Sequence, residues 1–210
     1  MQLKANKVSF GYSSKNKFLL KDVDFSLSSG EKVALVGPSG YGKSTFASML
    51  AGYIKPDSGT IHLDGKPFDK KSFCPVQLIY QHPEKAINPR WKMKKVLEES
   101  TMFSEDTLKD LGIEKEWLNR FPSELSGGEL QRFCIARALF SEAEIIIADE
   151  MSTMLDVITQ AQLWSVLLKE HEKRNLGLLV VTHNIQLAEF VCDSVIDLRH
   201  INNVKSSEII

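Results

Sequence analysis

The chain has 210 residues, 43% of them hydrophobic and 25% charged, with 27 acidic against 26 basic side chains. That length supports one well-buried core, or a core with a modest insertion, and excludes two independent domains. The charge balance gives no support for a nucleic-acid or polyanion binder, and Cys74, Cys134 and Cys192 lack the spacing of a disulfide framework, zinc site or iron–sulfur cluster.

At the N-terminus, Met1 to Lys7 has no signal-peptide core, and no apolar run approaches the roughly 20 residues that span a bilayer. A soluble, cytoplasmic chain is expected. Alternation in Val8-Ser9-Phe10 and in Val23 to Leu27 predicts half-buried antiparallel strands, with Gly11 and residues 13–16 as turns. Lys32 to Val36 is an apolar strand, and Lys43 to Ala51 has helical spacing that Gly52 ends. Val76 to Tyr80, Glu144 to Ala148 and Gly177 to Thr182 are continuous apolar runs, the pattern of parallel strands covered on both faces. Residues 83 to about 140 differ: they are charged and helical, over Lys94 to Met102, Ser104 to Leu111 and Glu129 to Phe140. A last strand is expected over Ser194 to Leu198. The fold class is therefore α/β, a parallel core with a small antiparallel β-layer and an inserted helical subdomain. It forms a single unit over 1–210, with the core and β-layer in 1–82 and 141–210.

Between the strand Lys32–Val36 and its helix lies Gly37-Pro38-Ser39-Gly40-Tyr41-Gly42-Lys43-Ser44-Thr45. This fits the P-loop pattern G-x-x-x-x-G-K-[ST], in which backbone N–H groups and a helix N-terminus surround phosphates. Lys43 neutralises them and Ser44 offers its hydroxyl to Mg²⁺. Tyr41, bulkier than most residues at its position, is expected to point outward. The buried run Ile145 to Ala148 ends in Asp149 and Glu150. Strand alternation separates these carboxylates, so Asp149 would hold Mg²⁺ through water and Glu150 would act as general base toward the attacking water. Tyr12 is either an adenine-stacking aromatic or a surface tyrosine.

A second phosphate-binding segment follows far downstream, Leu125-Ser126-Gly127-Gly128-Glu129. Ser126 suits an N-cap, and capping without a ligand is the plain structural reading. Two consecutive glycines exceed what a cap needs, and they leave N–H groups open at a positive helix end.

These residues resemble the ATP-binding-cassette (ABC) ATPases, whose core is the RecA-like P-loop NTPase fold. Residues 125–129 look like their signature motif, with Glu129 for the commoner Gln. The resemblance covers nearly the whole chain. It implies that Tyr12 stacks on adenine, that Gln81 senses Mg²⁺ and water, that Thr153-Met154-Leu155-Asp156 is the D-loop, and that His183, alone an ordinary core or surface histidine, contacts the γ-phosphate. It also implies that Ser126, Gly127, Gly128 and Asp156 of one subunit close on ATP held by another, so that two ATP molecules are sandwiched head to tail. Met151 stands where the family usually has Pro, and Met154 where it often has Ala; neither removes a chemical group.

Gln81 to Arg90, Phe121 to Leu125 and Met154 to Leu163 are further similar to ATPases of dipeptide, oligopeptide and nickel importers. That resemblance implies peptide or nickel and metal-chelate uptake, a second ABC ATPase subunit (identical or not), two integral membrane permease subunits and an extracellular or periplasmic substrate-binding protein. The chain would then sit on the cytoplasmic face of the membrane, with ATP and Mg²⁺ bound and no direct nucleic-acid contact. The C-terminal extension of longer relatives is not expected here. An alternative is a soluble ABC ATPase clamping nucleic acid or ribosomes, which usually carries two cassettes or long basic or coiled-coil insertions. A P-loop kinase would need neither Ser126-Gly127-Gly128 nor His183.

Overall fold

The computed structural model describes residues 1–12, 18–68, 73–100, 104–153 and 155–204. The expected turn at 13–16, the tail of the helix expected to reach Met102, and Met154 lie wholly or partly outside those residues. Strands β1 (Gln2–Phe10), β2 (Leu20–Ser28), β4 (Ser58–Leu63) and β5 (Lys66–Pro67) form an antiparallel sheet in the order β2-β1-β4-β5. In β1, Leu3 and Ala5 are buried and then Val8; in β2, Leu20 and then Val23, Phe25 and Leu27. The change of parity coincides with register shifts near Lys7 and Asp22, which both have positive φ. Each bulge turns the following apolar residues back toward the core. The bulge also explains Gly59: a Cβ there would lie 2.3 Å from the Lys7 carbonyl oxygen, and its φ is +83°. Both β4 and β5 escaped the sequence reading because their residues are half-exposed and carry little apolar alternation.

The second sheet is wholly parallel, ordered β6 (Val76–Ile79), β7 (Ile145–Asp149), β8 (Gly177–Val181), β3 (Lys32–Val36) and β9 (Ser194–Asp197). Every residue of β7 and β8 is buried, as continuous apolar runs require in a doubly covered sheet. Their side chains are divided between two cores. Ile145, Ile147, Leu179 and Val181 join the β-layer and helix α1 (Lys43–Leu50), where Phe25 meets Phe46 edge-on at 5.7 Å. Ile146, Ala148, Leu178 and Val180 face the opposite, helical core.

That helical core is built from α2 (Met93–Leu97), α3 (Glu105–Asp110), α4 (Gly127–Leu139) and α5 (Val157–Arg174), linked by 3₁₀ turns at Pro83–Lys85, Lys115–Asn119 and Pro122–Glu124. The helix α2 stops at Leu97, short of the expected end, where the consecutive acids Glu98 and Glu99 oppose the negative helix terminus. Arg132 of α4 compensates for short neighbours by donating to the Leu111 carbonyl, to Gln162 Oε1 at 3.2 Å and to Thr159 Oγ1 at 3.3 Å. Two short helices, α6 (Ile185–Val191) and α7 (Leu198–Ile201), flank β9.

Candidate active site

Four neighbouring strands of the parallel sheet deliver their C-terminal ends to one edge, the place where open α/β sheets bind ligands. From β3 comes the P-loop, from β7 Asp149 and Glu150, from β6 Gln81, and from β8 His183. Helix α1 starts at Lys43 with Gly42 as its N-cap, at φ +93° and with no side-chain capping bond. Its first N–H groups are thus left open to a ligand. A side chain at Gly42 would strike Leu19 at 2.9 Å, so the turn tolerates only glycine. Lys43 is 5% exposed, and its ammonium donates back to the carbonyl oxygens of Gly37 (2.8 Å) and Pro38 (3.0 Å).

Ser44 Oγ donates to Asp149 Oδ1 at 3.0 Å. Asp149 shares strand parity with Ile145 and Ile147, so it faces α1 rather than the helical core. Burial is the main cause that pushes its carboxyl up to about 6; the Ser44 hydroxyl works against this and the Glu150 charge adds to it. The Ser44 hydroxyl and Asp149 carboxylate are hard oxygen donors side by side, a pair suited to Mg²⁺, which takes few protein ligands and completes its shell from phosphate and water. The amide of Gln81 is a third oxygen source nearby.

Glu150 is separated from Asp149 by more than strand alternation. Its φ is +44°, left-handed, and its N–H donates to the Val181 carbonyl at 2.9 Å. The chain therefore leaves β7 here, and the Glu150 carboxylate turns along the sheet edge. Its Oε2 accepts from Gln81 Nε2 at 3.2 Å, while Oε1 lies 3.0 Å from His183 Nδ1, a hydrogen bond when that nitrogen carries the proton. One carboxylate thus touches the ends of two flanking strands. Behind it, Trp164 Nε1 donates to Ser152 Oγ at 3.2 Å, pinning the turn after Glu150 beside a cavity of about 160 Å³. The sequence reading missed Ser152 and Trp164; a serine two residues past the acidic pair, in the turn that leaves the strand, was the available signal.

The hydroxyl of Tyr12 lies 3.0 Å from Thr45 Oγ1, and its exposed ring stands edge-on to Phe10 at 5.0 Å. It presents an aromatic face beside the P-loop helix. Ser39 and Gly40 are exposed on the same loop, as is Tyr41, which faces outward as expected.

Ser126 caps α4 as anticipated. Its Oγ accepts from Glu129 N at 3.3 Å, and Glu129 Oε2 accepts from Ser126 N at 2.6 Å, a reciprocal capping box. These bonds hold the Glu129 carboxyl below its usual range. A Cβ on Gly127 would meet nothing within 4 Å, whereas one on Gly128 would lie 3.0 Å from Leu155. Asp156 caps α5, accepting from Thr159 N at 3.0 Å. Among the described residues no hydrogen bond joins Ser126, Gly127, Gly128 or Asp156 to the P-loop or to Glu150. The structure thus brings Lys43, Ser44, Asp149, Glu150, Gln81 and His183 to one edge and leaves the segment 125–129 apart.

The sequence model described as "ABC transporter" matches residues 20–153. Among curated relatives, the chain is 35% identical over 206 residues to the nickel import ATP-binding protein NikE of Escherichia coli K12, covering 88% of this chain and 77% of that protein. It is 36% identical over 221 residues to the oligopeptide transport ATP-binding protein OppD of Lactococcus lactis, covering 92% of this chain and 65% of that one. Among solved structures, the dimeric bacterial ABC transporter cassette MJ0796 superposes with TM-score 0.81 at 27% identity, over 93% of this chain and 94% of that one. A dimeric post-hydrolysis state of MJ0796 bound to ADP and Pi gives TM-score 0.79 at 26% identity, over 93% of each chain. With the fold, the P-loop edge and these likenesses together, the chain belongs to the ABC transporter family, as an ATP-binding subunit with ATPase activity.

Proposed function

We propose that this chain is one half of a head-to-tail ATPase dimer that drives an importer of peptides or of nickel and metal chelates. The observation that carries the reading is the unequal state of its two phosphate-binding segments. The P-loop is tied to a carboxylate cluster, while beside the Ser126–Glu129 capping box Gly127 faces open space and the glycine N–H groups of the helix start lack an intrahelical acceptor. Such a segment suits the phosphate of ATP bound to a second copy or a similar subunit, with Asp156 beside it. The names of NikE and OppD support import and the two cargo classes.

In this reading Lys43 exchanges the Gly37 and Pro38 carbonyls for phosphate oxygens, and the N–H groups of residues 37–45 surround the anion. Ser44, Asp149 and Gln81 would hold Mg²⁺, which would supply charge neutralisation at the phosphoryl group. Tyr12 stacks on adenine. Glu150 takes the proton of the attacking water, a role that contributes roughly 10²–10⁴-fold. His183 holds that carboxylate and the γ-phosphate in register. Glu150 must release Gln81 to do this, so engaging ATP changes both ends of that bond. Closure is favoured because the γ-phosphate is contacted from both chains.

Residues of about 83–140 act as the helical subdomain. Where they meet the core lies a cleft of about 410 Å³ lined by Tyr53, Phe73, Gln77, Ala86, Glu99 and Arg137, a concavity fit for a segment of a membrane permease subunit. No described helix is long and apolar enough to cross a membrane, and attachment to the cytoplasmic face comes through such permease partners, with a substrate-binding protein outside. The test is copurification with integral membrane subunits, followed by ATP-dependent uptake of peptides and of nickel with and without chelators. Copurification with ribosomes or nucleic acid, without membrane proteins, would overturn the importer assignment.

A further inference from the structure

Gln131 lies in α4, five residues after the Ser126 cap, and is 3% exposed. Its Nε2 donates to the Tyr80 carbonyl at 3.2 Å, immediately before Gln81, and its Oε1 is buried with no partner among the described residues. The Tyr80 carbonyl needs this donor. Pairing of β6 with β7 ends at Ile79 and Ala148, and the Glu150 N–H is turned to Val181 instead. Two further groups on the same face of α4 reach the same segment: Cys134 Sγ lies 3.8 Å from the Pro83 carbonyl, and Arg137 Nη1 donates to the Ala86 carbonyl at 2.7 Å. Residues 131, 134 and 137 are spaced along one helix face. They meet carbonyls 80, 83 and 86, which recur every three residues through the 3₁₀ turn at Pro83–Lys85.

We propose that Gln131 is a positioning residue for ATP hydrolysis, joining the helix that begins at Ser126 to the strand end that carries Gln81. A buried amide with a free oxygen is an unfavourable way to fill space, and methionine would fill it without that cost. The amide is explained by the Tyr80 carbonyl it satisfies and by what that carbonyl fixes. The side chain of Gln81 reaches Glu150 from a backbone held at one end by Gln131. Through the same bond, a displacement of the Ser126 end of α4 is passed to Gln81 and so to Glu150. The proposal rests on the reading of Gln81 and Ser126 given above.

The test is steady-state ATPase kinetics and thermal melting of the full chain carrying Gln131→Met or Gln131→Asn, each alone and combined with Gln81→Ala. Met removes the donor; Asn keeps an amide but withdraws it by one methylene. Both are expected to lower kcat about tenfold with KM for ATP within about twofold, since the P-loop contacts are untouched. In the Gln81→Ala background the same changes should lower kcat less than about twofold, because the positioned group is gone. Parental kcat in both single variants, a rise in KM alone, or equal fold-losses with and without Gln81 would each overturn the proposal. Should Gln131→Met fail to fold, Gln131→Asn supplies the same comparison. Parental kcat in Gln81→Ala alone would overturn the role of Gln81 itself, a failure visible without any change at residue 131.

Discussion

The P-loop and the segment proposed as its counterpart in a second chain differ in what each has already bonded. At the P-loop the polar groups are engaged within the chain: Lys43 with the loop carbonyls and Ser44 with Asp149. At residues 126–129 the only side-chain bonds among the described residues are those of the capping box, and a Cβ on Gly127 would meet nothing within 4 Å. A site whose groups are already bonded to one another must exchange internal bonds for ligand bonds. A segment that served a second chain, as proposed, would need only to stay capped and uncovered. The comparison teaches that one helix terminus can be capped and still offer donors, because the Ser126 and Glu129 side chains bond each other's backbone N–H and leave the glycine N–H groups out of the box.

The largest effect expected from breaking this division is at the P-loop edge. Glu150→Gln should lower turnover by about 10²-fold or more while ATP still binds, since the amide keeps shape and loses basicity; hydrolysis rate and nucleotide binding on one preparation check it, and parental turnover would remove Glu150 as the base. Next, Ser126→Arg should lower turnover at least about tenfold without weakening ATP binding by the same chain. Gly127→Ala is sharper still. Its Cβ meets nothing within 4 Å, and alanine in a helix is favoured over glycine by up to about 1 kcal/mol. A segment that only starts a helix would gain stability and keep its turnover; one that admits a phosphate should melt no lower and yet hydrolyse more slowly.

The smallest effect separates the states of the P-loop edge by pH. The carboxyl of Asp149 is raised from 3.8 to about 6, chiefly by burial. Between those values the folded chain keeps a proton that the unfolded chain has lost, so stability falls as pH rises through that window. Above it, the ionised carboxylate is a cost of up to roughly 3 kcal/mol. Asp149→Asn should therefore raise the melting temperature of the nucleotide-free chain at about pH 7.5, with the gain shrinking toward pH 4. An equal gain at both pH values would place the cause elsewhere than in the charge. The same variant should lose Mg²⁺-dependent turnover.

Much of this edge was legible locally. The P-loop pattern is read from one stretch because its chemistry is backbone chemistry: glycines at fixed offsets, a strand before, a helix after. Ser126 as a cap was legible for the same reason, its partner Glu129 being three residues away. Other features were not. The β-strands at 58–67 carry no strong periodicity, and the helix from Val157 to Arg174 was not expected, its first residues having entered only as part of a stretch similar to importer ATPases. Alternation in β7 gave the right side for Asp149 and an incomplete reason for Glu150, whose left-handed φ turns it along the sheet edge. The buried Gln131 resembled any polar residue of an amphipathic helix.

By itself, then, the sequence determined the parallel core, the phosphate loop and a second open helix terminus, because each depends on residues within a few positions of one another. Only the tertiary structure decided that Gln81, Glu150 and His183 share one carboxylate, and that Gln131 bonds the backbone beside Gln81. Those relations depend on the strand order β6-β7-β8-β3 and on a helix packed across it. Residues 69, 51 and 33 positions apart become neighbours there through hydrogen bonds that leave no periodic mark along the chain.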